Sequence, residues 1–483
     1  MSNLSELLPT GGGQNAVDFV ASGTLSSGQV VVLRSDGTVE AVSGVAQALG
    51  SEAVFESAVS EHTAATFDSN SNKVVIAYKD NGNSQYGTAV VGTVSGTSIS
   101  FGTPVVFLTG RPFETSATFD SNSNKVVIAC RNLSNSSYGT AIVGTVSGTS
   151  ISFGSPVIYN SGMSIYTSAT FDSNANKVVI AFYDQPNANR GTAIVGTVSG
   201  TSISFGSKVV FELAATYFIA TTFDSNSNKV VIAYTDLTNS YAIVGTVSGT
   251  SISFGSAAQF ESARTDAKGA TFDSNANKVV IAYGKSVDDG ASIHTTAVVG
   301  TVSGTSISFG TPLTITSSGV SDYVTATYNS SANKVVISYR DGTNSNYGTL
   351  VNGTVSGTSI TVGSPVVFNA ANSTNYISST YDSNADKVVI AYQDGGNSGY
   401  GTAIVFQNGS TNSADFIGIT AGAISDTATG AVNVYGGINE AQTGLTIGSD
   451  YYVQDDGSIS TTSSAVKIGQ AISATTINMM DLT

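Results

Sequence analysis

Thr66-Phe-Asp-Ser-Asn-Ser-Asn-Lys-Val-Val-Ile-Ala-Tyr78 decides how this chain folds, because close variants of it occur seven times. Its lysine recurs at Lys73, Lys125, Lys177, Lys229, Lys278, Lys334 and Lys387, at spacings of 52, 52, 52, 49, 56 and 53 residues. A period near the roughly 40–50 residues of known propeller blades marks a repeat architecture. Each copy reads as four strands; in the second they fall at 116–119 (a), 125–130 (b), 139–146 (c) and 150–158 (d). Strand b is a continuous apolar run, the pattern of a strand covered on both faces. Turn formers join the strands, Asp-Ser-Asn-Ser-Asn between a and b and Ser-Gly-Thr between c and d. The Asp/Asn alternation echoes the start of a calcium loop. However, the glycine and distal glutamate of an EF-hand are missing and a lysine follows, so a hairpin turn is expected.

Copy seven has strands a, b and c, the last at Gly401-Thr-Ala-Ile-Val405, and then lacks the Gly-Thr-Ser-Ile-Ser-Phe-Gly phrase. Its missing strand d is written at the other end of the repeats. Gly50-Ser-Glu-Ala-Val-Phe-Glu-Ser-Ala58 matches Gly255-Ser-Ala-Ala-Gln-Phe-Glu-Ser-Ala263. The expected fold is therefore all-β: a seven-bladed β-propeller of four-stranded blades over 45–410, closed by residues 46–56 as the last strand of blade seven. Closure covers edges that an open array leaves bare. Residues 1–44 and 411–483 are the two halves of a small β domain into which the propeller is inserted, an arrangement tolerated when insertion ends lie close together. Both halves leave the propeller on the face that carries the a–b and c–d turns.

The copies can be compared with one another. The a–b and c–d turns barely vary, whereas the d–a and b–c loops differ in every copy, from Gly110-Arg-Pro-Phe-Glu114 to Ser286-Val-Asp-Asp-Gly-Ala-Ser-Ile-His294. Folding alone accounts for uniform turns; variation confined to one face is what a ligand-facing surface shows, although relaxed constraint on long loops produces it too. The ligand-binding candidates are Phe113, Tyr166, Tyr217, Phe218, Tyr323, Tyr376, His294, Arg131 and Arg340, because aromatic rings with polar handles suit glycan stacking or a protein surface. The recurrent Tyr86, Tyr138, Tyr347 and Tyr400 are expected to pack the start of strand c. The charged positions after strand b (Lys79, Asp80, Arg131, Asp184, Asp236, Lys285, Arg340, Asp341 and Asp394) read as a solvated rim, and His62 and His294 as solvated loop residues.

Composition narrows the function. The 483 residues carry a formal net charge of −15, and nucleic acid and anionic membranes both need a basic footprint, so neither is an expected partner. No run of 18 apolar residues suggests membrane insertion, and the N-terminus lacks the basic-then-apolar order of a signal peptide. The single cysteine, Cys130, allows no internal disulfide and no metal cluster. There is no tryptophan for sialidase-type Asp boxes, and the six arginines form no recognisable triad. No phosphate loop precedes a helix. The expectation is a protein that is not an enzyme, with no catalytic residue, no cofactor and no metal.

One resemblance adds to this reading. Gly444-Leu-Thr-Ile-Gly-Ser-Asp-Tyr-Tyr-Val-Gln-Asp-Asp-Gly-Ser-Ile-Ser-Thr-Thr462, followed by Val466-Lys-Ile-Gly-Gln-Ala-Ile-Ser-Ala-Thr-Thr476, resembles a small β module of tailed-bacteriophage virion structural proteins, among them tail fibres, appendages and head-surface decorations. The Asn-Lys-Val-Val-Ile-Ala-Tyr repeats also resemble propellers of marine phage proteins. The resemblance implies a virion surface protein made in the host cytoplasm and forming a homo-oligomer in the particle. Its end domain would bind other virion proteins and its propeller would present the variable face to a host-surface glycan or protein. The alternatives are a purely structural capsid decoration or fibre-assembly protein, and a glycan-processing enzyme, which needs two carboxylates about 5–10 Å apart in a cleft.

Overall fold

The computed structural model describes residues 15–286, 292–316, 319–320, 322–370, 373–454, 456–464 and 466–479, without the side chains at 267, 268 and 411. Most of the variable loop 286–294 therefore lies outside the described residues, as does the extreme N-terminus. Among the described residues there is no α-helix. The chain divides into two compact units, Met1–Gln47 with Asn408–Thr483, and Ala48–Gln407.

In the larger unit each copy is an antiparallel meander. Copy two comprises strand a (Pro112–Asp120), strand b (Lys125–Asn132) and strand c (Tyr138–Ser147), with pairs such as Phe119↔Val126 and Ile128↔Ile142. The repeated a–b turn is held in this copy by Asp120. Its carboxylate, 1% exposed, accepts from the backbone N–H groups of Asn122 and Ser123, both at 2.9 Å, and from the Ser123 hydroxyl at 3.0 Å. This is an Asx-type turn, in which the aspartate oxygens take up N–H groups that the hairpin leaves over.

Strand d differs from the unbroken 150–158 expected. It pairs with strand c as Ser150–Phe153, breaks, and resumes at Val157. The break sits at Gly154, whose backbone lies so close to the Thr201 carbonyl of the next copy's c–d turn that a Cβ would overlap it. The same close approach joins Gly102 to Thr149, Gly206 to Thr250 and Gly50 to Thr97. The repeated Ser-Gly-Thr-Ser turn thus does two things. Gly148, at φ 61°, makes the two-residue hairpin that the Ser147↔Ser150 pair closes, while the equivalent threonine carbonyl seats the preceding copy.

The core lies between copies. Val75 and Ala77 of copy one pack with Val126, Ile128 and Cys130 of copy two; Val74, Ile76 and Tyr78 pack with Val389, Ala391 and Val405 of copy seven. Alternate residues of strand b therefore face opposite neighbours, and the run is apolar throughout because neither face meets water. The junctions are matched residue by residue. Tyr78, Tyr234 and Tyr283 of strand b donate their hydroxyls to Glu56, Glu212 and Glu261 of the preceding strand d, at 3.1, 2.8 and 3.2 Å. Where strand b carries Cys130 instead, the preceding strand d carries Leu108, and the two share one apolar cluster. A buried tyrosine hydroxyl needs an acceptor; a thiol needs only volume.

Copy seven has strands a (Thr374–Asp382), b (Lys387–Asp394) and c (Tyr400–Gln407). Its strand c pairs with the start of the unit in two pieces, Leu49↔Phe406 with Ala48↔Gln407, and Ala53 through Val59 with Ala403 back to Tyr400. The partner is therefore 48–49 plus 53–59, interrupted at Gly50 by the same break as in the other strands d. Strand a of each copy packs beside strand a of the next, and that of copy seven beside that of copy one.

In the smaller unit the two chain ends share a sheet, in the order Ala16–Val20, Thr429–Val434, Phe416–Thr420, Val30–Leu33, Val39–Ala41. A second five-stranded sheet uses strands between Ile438 and Met479. Val30, Val32 and Ile419 of the first pack with Val453, Ile468 and Ile477 of the second.

Candidate functional site

Strand a does not run straight into strand b's far end. In every copy the register shifts, between Glu61 and Ala64, Phe113 and Ser116, Ile165 and Ser168, Tyr217 and Ala220, Asp266 and Lys268, Asp322 and Thr325, and Asn375 and Ser378. Inside six of these bulges sits a residue with left-handed backbone: His62 at φ 55°, Glu114 at 51°, Tyr166 at 54°, Phe218 at 48°, Tyr323 at 51° and Tyr376 at 49°. For a bulky side chain this conformation costs about 1–3 kcal/mol and clusters where function requires it. A bulge also re-aims the side chain it carries. The candidates Phe113, Tyr166, Tyr217, Phe218, Tyr323 and Tyr376, expected on loops, thus lie in or beside the bulges of paired strands. This corrects the loop assignment, since the backbone pairing with strand b continues beyond the bulge, as in Phe113↔Arg131 and Tyr217↔Thr235.

The bulges bring rings from different copies together. Tyr323 and Tyr376 have centroids 5.3 Å apart, Tyr376 and His62 4.8 Å, His62 and Phe113 4.1 Å. These four form a continuous arc over copies six, seven, one and two. A second group joins Tyr166 to Phe218 at 4.7 Å and to Tyr217 at 6.0 Å, with Tyr183 5.8 Å from Tyr217. Cations stand over both groups. Lys79 Nζ is 4.6 Å from the Phe113 centroid and the Arg131 guanidinium 5.3 Å; Arg340 is 5.0 Å from Tyr323, and Arg264 5.5 Å from Phe218. Each cation has its own carboxylate: Lys79 with Glu61, Arg131 with Glu114 at 3.5 Å, Arg264 with Asp266 at 3.3 Å, and Arg340 with Asp322. Arg340 also donates to Asn375 at 2.6 Å.

Burial sets the protonation of this cluster. Desolvation, reinforced by the charge of Lys79, holds the His62 imidazole down at about 4, so it is neutral at physiological pH. Burial pushes the Glu114 and Asp322 carboxyls up, against the opposing pull of Arg131 and Arg340. The Tyr376 phenol is pushed up to about 12, also by burial first. The arrangement offers stacking faces, paired charges and neutral hydrogen-bonding groups.

Two expectations need correction here. Five of the nine charged positions after strand b are buried rather than a solvated rim: Lys79 is 4% exposed, Asp80 5%, Asp184 0%, Asp341 7% and Asp394 4%, while Arg131, Asp236, Lys285 and Arg340 are partly exposed. Asp80 and Asp394 accept N–H groups of the b–c turns they begin, and Asp184 binds Lys208 at 2.8 Å. Nor is His62 solvated, since it lies between Phe113 and Tyr376. His62, Glu114, Asp322 and Lys79 join the aromatic candidates in one cluster, which their positions in the sequence do not announce. The available signal was the position four residues before the Thr of each Thr-Phe-Asp phrase or its Thr-Tyr variants, which carries His62, Glu114, Tyr166, Phe218, Ala267, Tyr323 and Tyr376 in turn, a large or ionisable residue in every copy but the fifth. His294 stands apart, in strand c of copy five opposite Lys285. The recurrent Tyr86, Tyr138, Tyr347 and Tyr400 begin strand c and are half-buried. A concavity of about 570 Å³ opens between copies four and five, where Lys285 binds Glu261 at 3.1 Å beside Gln259, Thr296 and Thr314.

The sequence matches no established protein family and no curated protein. The structure is similar to the BP39L lectin of Burkholderia pseudomallei, with a TM-score of 0.55 and 11% identity over 74% of this chain and 98% of that one. It is more distantly similar to AofleA of Arthrobotrys oligospora, with a TM-score of 0.38 and 8% identity over 69% of this chain and 93% of that one. Neither likeness is to a bacteriophage virion protein. By its likeness to the first, the matched part of the chain has a β-propeller fold.

Proposed function

We propose that this is a carbohydrate-binding protein without enzymatic activity, and that its ligand face is the end of the propeller where the strand-a bulges converge. In this reading Ala48–Gln407 is a seven-bladed propeller whose ring is closed by its own first strand, and the bulges encircle the channel mouth. The two-piece pairing of 48–59 with strand c of copy seven and the unbroken succession of neighbouring strands a support the closure. The observation that carries the functional reading is the arc Tyr323–Tyr376–His62–Phe113. Six large or ionisable side chains are held at the same strained bulge position, in every copy but the fifth, while turns at the other end repeat almost unchanged. Strain retained at one end of a repetitive scaffold marks the end that does work. The lectin fold of BP39L fits this reading.

The finer proposal is attachment. The resemblance of the C-terminal stretch to phage virion modules supports a particle-surface protein, anchored by the unit built from both chain ends, that presents the propeller to host glycans. The test is binding of the labelled full chain to a glycan array and to intact host envelopes, for wild type, Phe113→Ala and Tyr376→Ala. Saturable binding lost in both variants, with folding intact, is the expected result. Binding retained in both but lost in Glu261→Gln would move the site to the crevice between copies four and five. Absence of all binding would leave a structural decoration role.

A further inference from the structure

Resting on the carbohydrate-binding reading, we infer that the arc from Tyr323 to Phe113 is a single site for a neutral sugar, held through its hydroxyl groups at both ends of the arc, and that acidic sugars are poor ligands for it.

The two ends of the arc are built alike. At one, strand a of copy six supplies Asp322 and strand b supplies Arg340; at the other, copy two supplies Glu114 and Arg131. In each pair one carboxylate oxygen and the arginine Nε are buried with no hydrogen-bond partner: Asp322 Oδ1 and Arg340 Nε, Glu114 Oε2 and Arg131 Nε. The last two face each other at 3.5 Å, an ion pair without a formed hydrogen bond. His62 Nε2, midway along the arc, is likewise buried and without a hydrogen-bond partner. Unmet donors and acceptors of this kind oppose folding; the atoms themselves have almost no accessible surface, but the side chains of both ion pairs are 15–25% exposed, so a ligand supplies the partners as these side chains turn toward it.

The chemistry of the missing partner follows from the pairing. An acceptor beside a donor is met by a group that both donates and accepts, which is a hydroxyl. A carboxylate or sulfate would serve only the arginines and would stand against Glu114 and Asp322. Charge gives an anion no further reason to enter, because Arg131, Arg340 and Lys79 each carry a carboxylate of their own. Between the two ends the ring faces suit the C–H face of a pyranose. The second ring group lacks this design. Its Arg264–Asp266 pair is directly hydrogen-bonded, and the arginine side chain is 54% exposed. The seven copies are therefore unequal at the mouth, and one site per chain results.

Titration calorimetry of the full chain tests this, with neutral oligosaccharides and their uronate- or sialate-bearing counterparts as probes. Expected are one neutral ligand per chain, acidic counterparts at least about 10-fold weaker, and a loss of about 10- to 100-fold in Glu114→Gln and in Asp322→Asn, the range for hydrogen bonds to charged groups. Lys177→Ala, in a distant a–b turn, leaves affinity unchanged. Preference for the acidic counterparts overturns the inference. So does a stoichiometry near seven, or wild-type affinity in both carboxylate variants while Tyr376→Ala abolishes binding; in these cases the carbohydrate reading survives. Failure of every saccharide to bind the folded chain removes that reading and the inference together.

Discussion

Phe55→Ala tests how the repeats are joined end to start. Phe55 precedes the first full copy in the chain, yet it is 6% exposed and packs with Tyr78 at 5.1 Å and Phe101 at 5.7 Å between centroids. Phe260 occupies the equivalent place at an internal junction, also 6% exposed, with Tyr283 at 5.2 Å and Phe309 at 5.5 Å. Truncating a buried phenylalanine removes its transfer free energy and leaves a cavity, about 3–5 kcal/mol in all. If the first strand is an integral part of copy seven, Phe55→Ala and Phe260→Ala lose the same amount. Urea unfolding of the full chain, followed by tyrosine fluorescence and far-ultraviolet circular dichroism, measures this as matched falls in midpoint at constant slope. A Phe55→Ala protein within about 0.5 kcal/mol of wild type, the range of surface substitutions, beside a strongly destabilised Phe260→Ala, would refute the joined ring.

Three further outcomes are expected. His62 is held at about 4, below the usual 6.5, so the unfolded chain binds its proton first. Stability then falls by about 3 kcal/mol as pH drops from 6.5 towards 4. Glu114 and Asp322, pushed up by burial, act in the opposite sense. The His62 share is therefore read as the difference between wild type and His62→Gln in unfolding midpoint against pH, and identical slopes would contradict it. Gly154→Ala, where a Cβ meets the Thr201 carbonyl, should lower the midpoint more than Gly148→Ala, where the space is open and only the left-handed backbone is penalised, by about 1–2 kcal/mol. The buried Cys130 thiol, pushed up to about 12 by desolvation, should resist a thiol reagent at pH 8 and react at the rate of unfolding when urea is added; rapid labelling of the native chain would contradict its burial.

Much of the fold was legible because it rests on local chemistry repeated seven times. The apolar run of strand b, the Asp-led a–b turn and the Ser-Gly-Thr-Ser hairpin each specify their own backbone, and the likeness of Gly50–Ala58 to Gly255–Ala263 pointed to the partner of the last strand c. The candidate site was legible only as a set of residue types. Tyr166, Tyr323 and Tyr376 could be named as aromatic and variable, but their spacing gives no sign of positive φ, since tyrosine ordinarily avoids it. His62 looked solvated because its two ring neighbours, Phe113 and Tyr376, come from copies at opposite ends of the sequence. The rim aspartates looked exposed for a similar reason, as turn N–H groups and Lys208 meet them only in the folded sheets.

By itself the sequence determined the strands, their turns and their repetition, because period, propensity and turn chemistry act within a few residues. Only the tertiary structure decided which side chains meet. The break of strand d at Gly154 answers a carbonyl of the next copy, the tyrosine–glutamate pairs span two copies, and the arc of Tyr323, Tyr376, His62 and Phe113 spans four. Each depends on contacts between segments distant in sequence, whose geometry exists only after the sheets have packed.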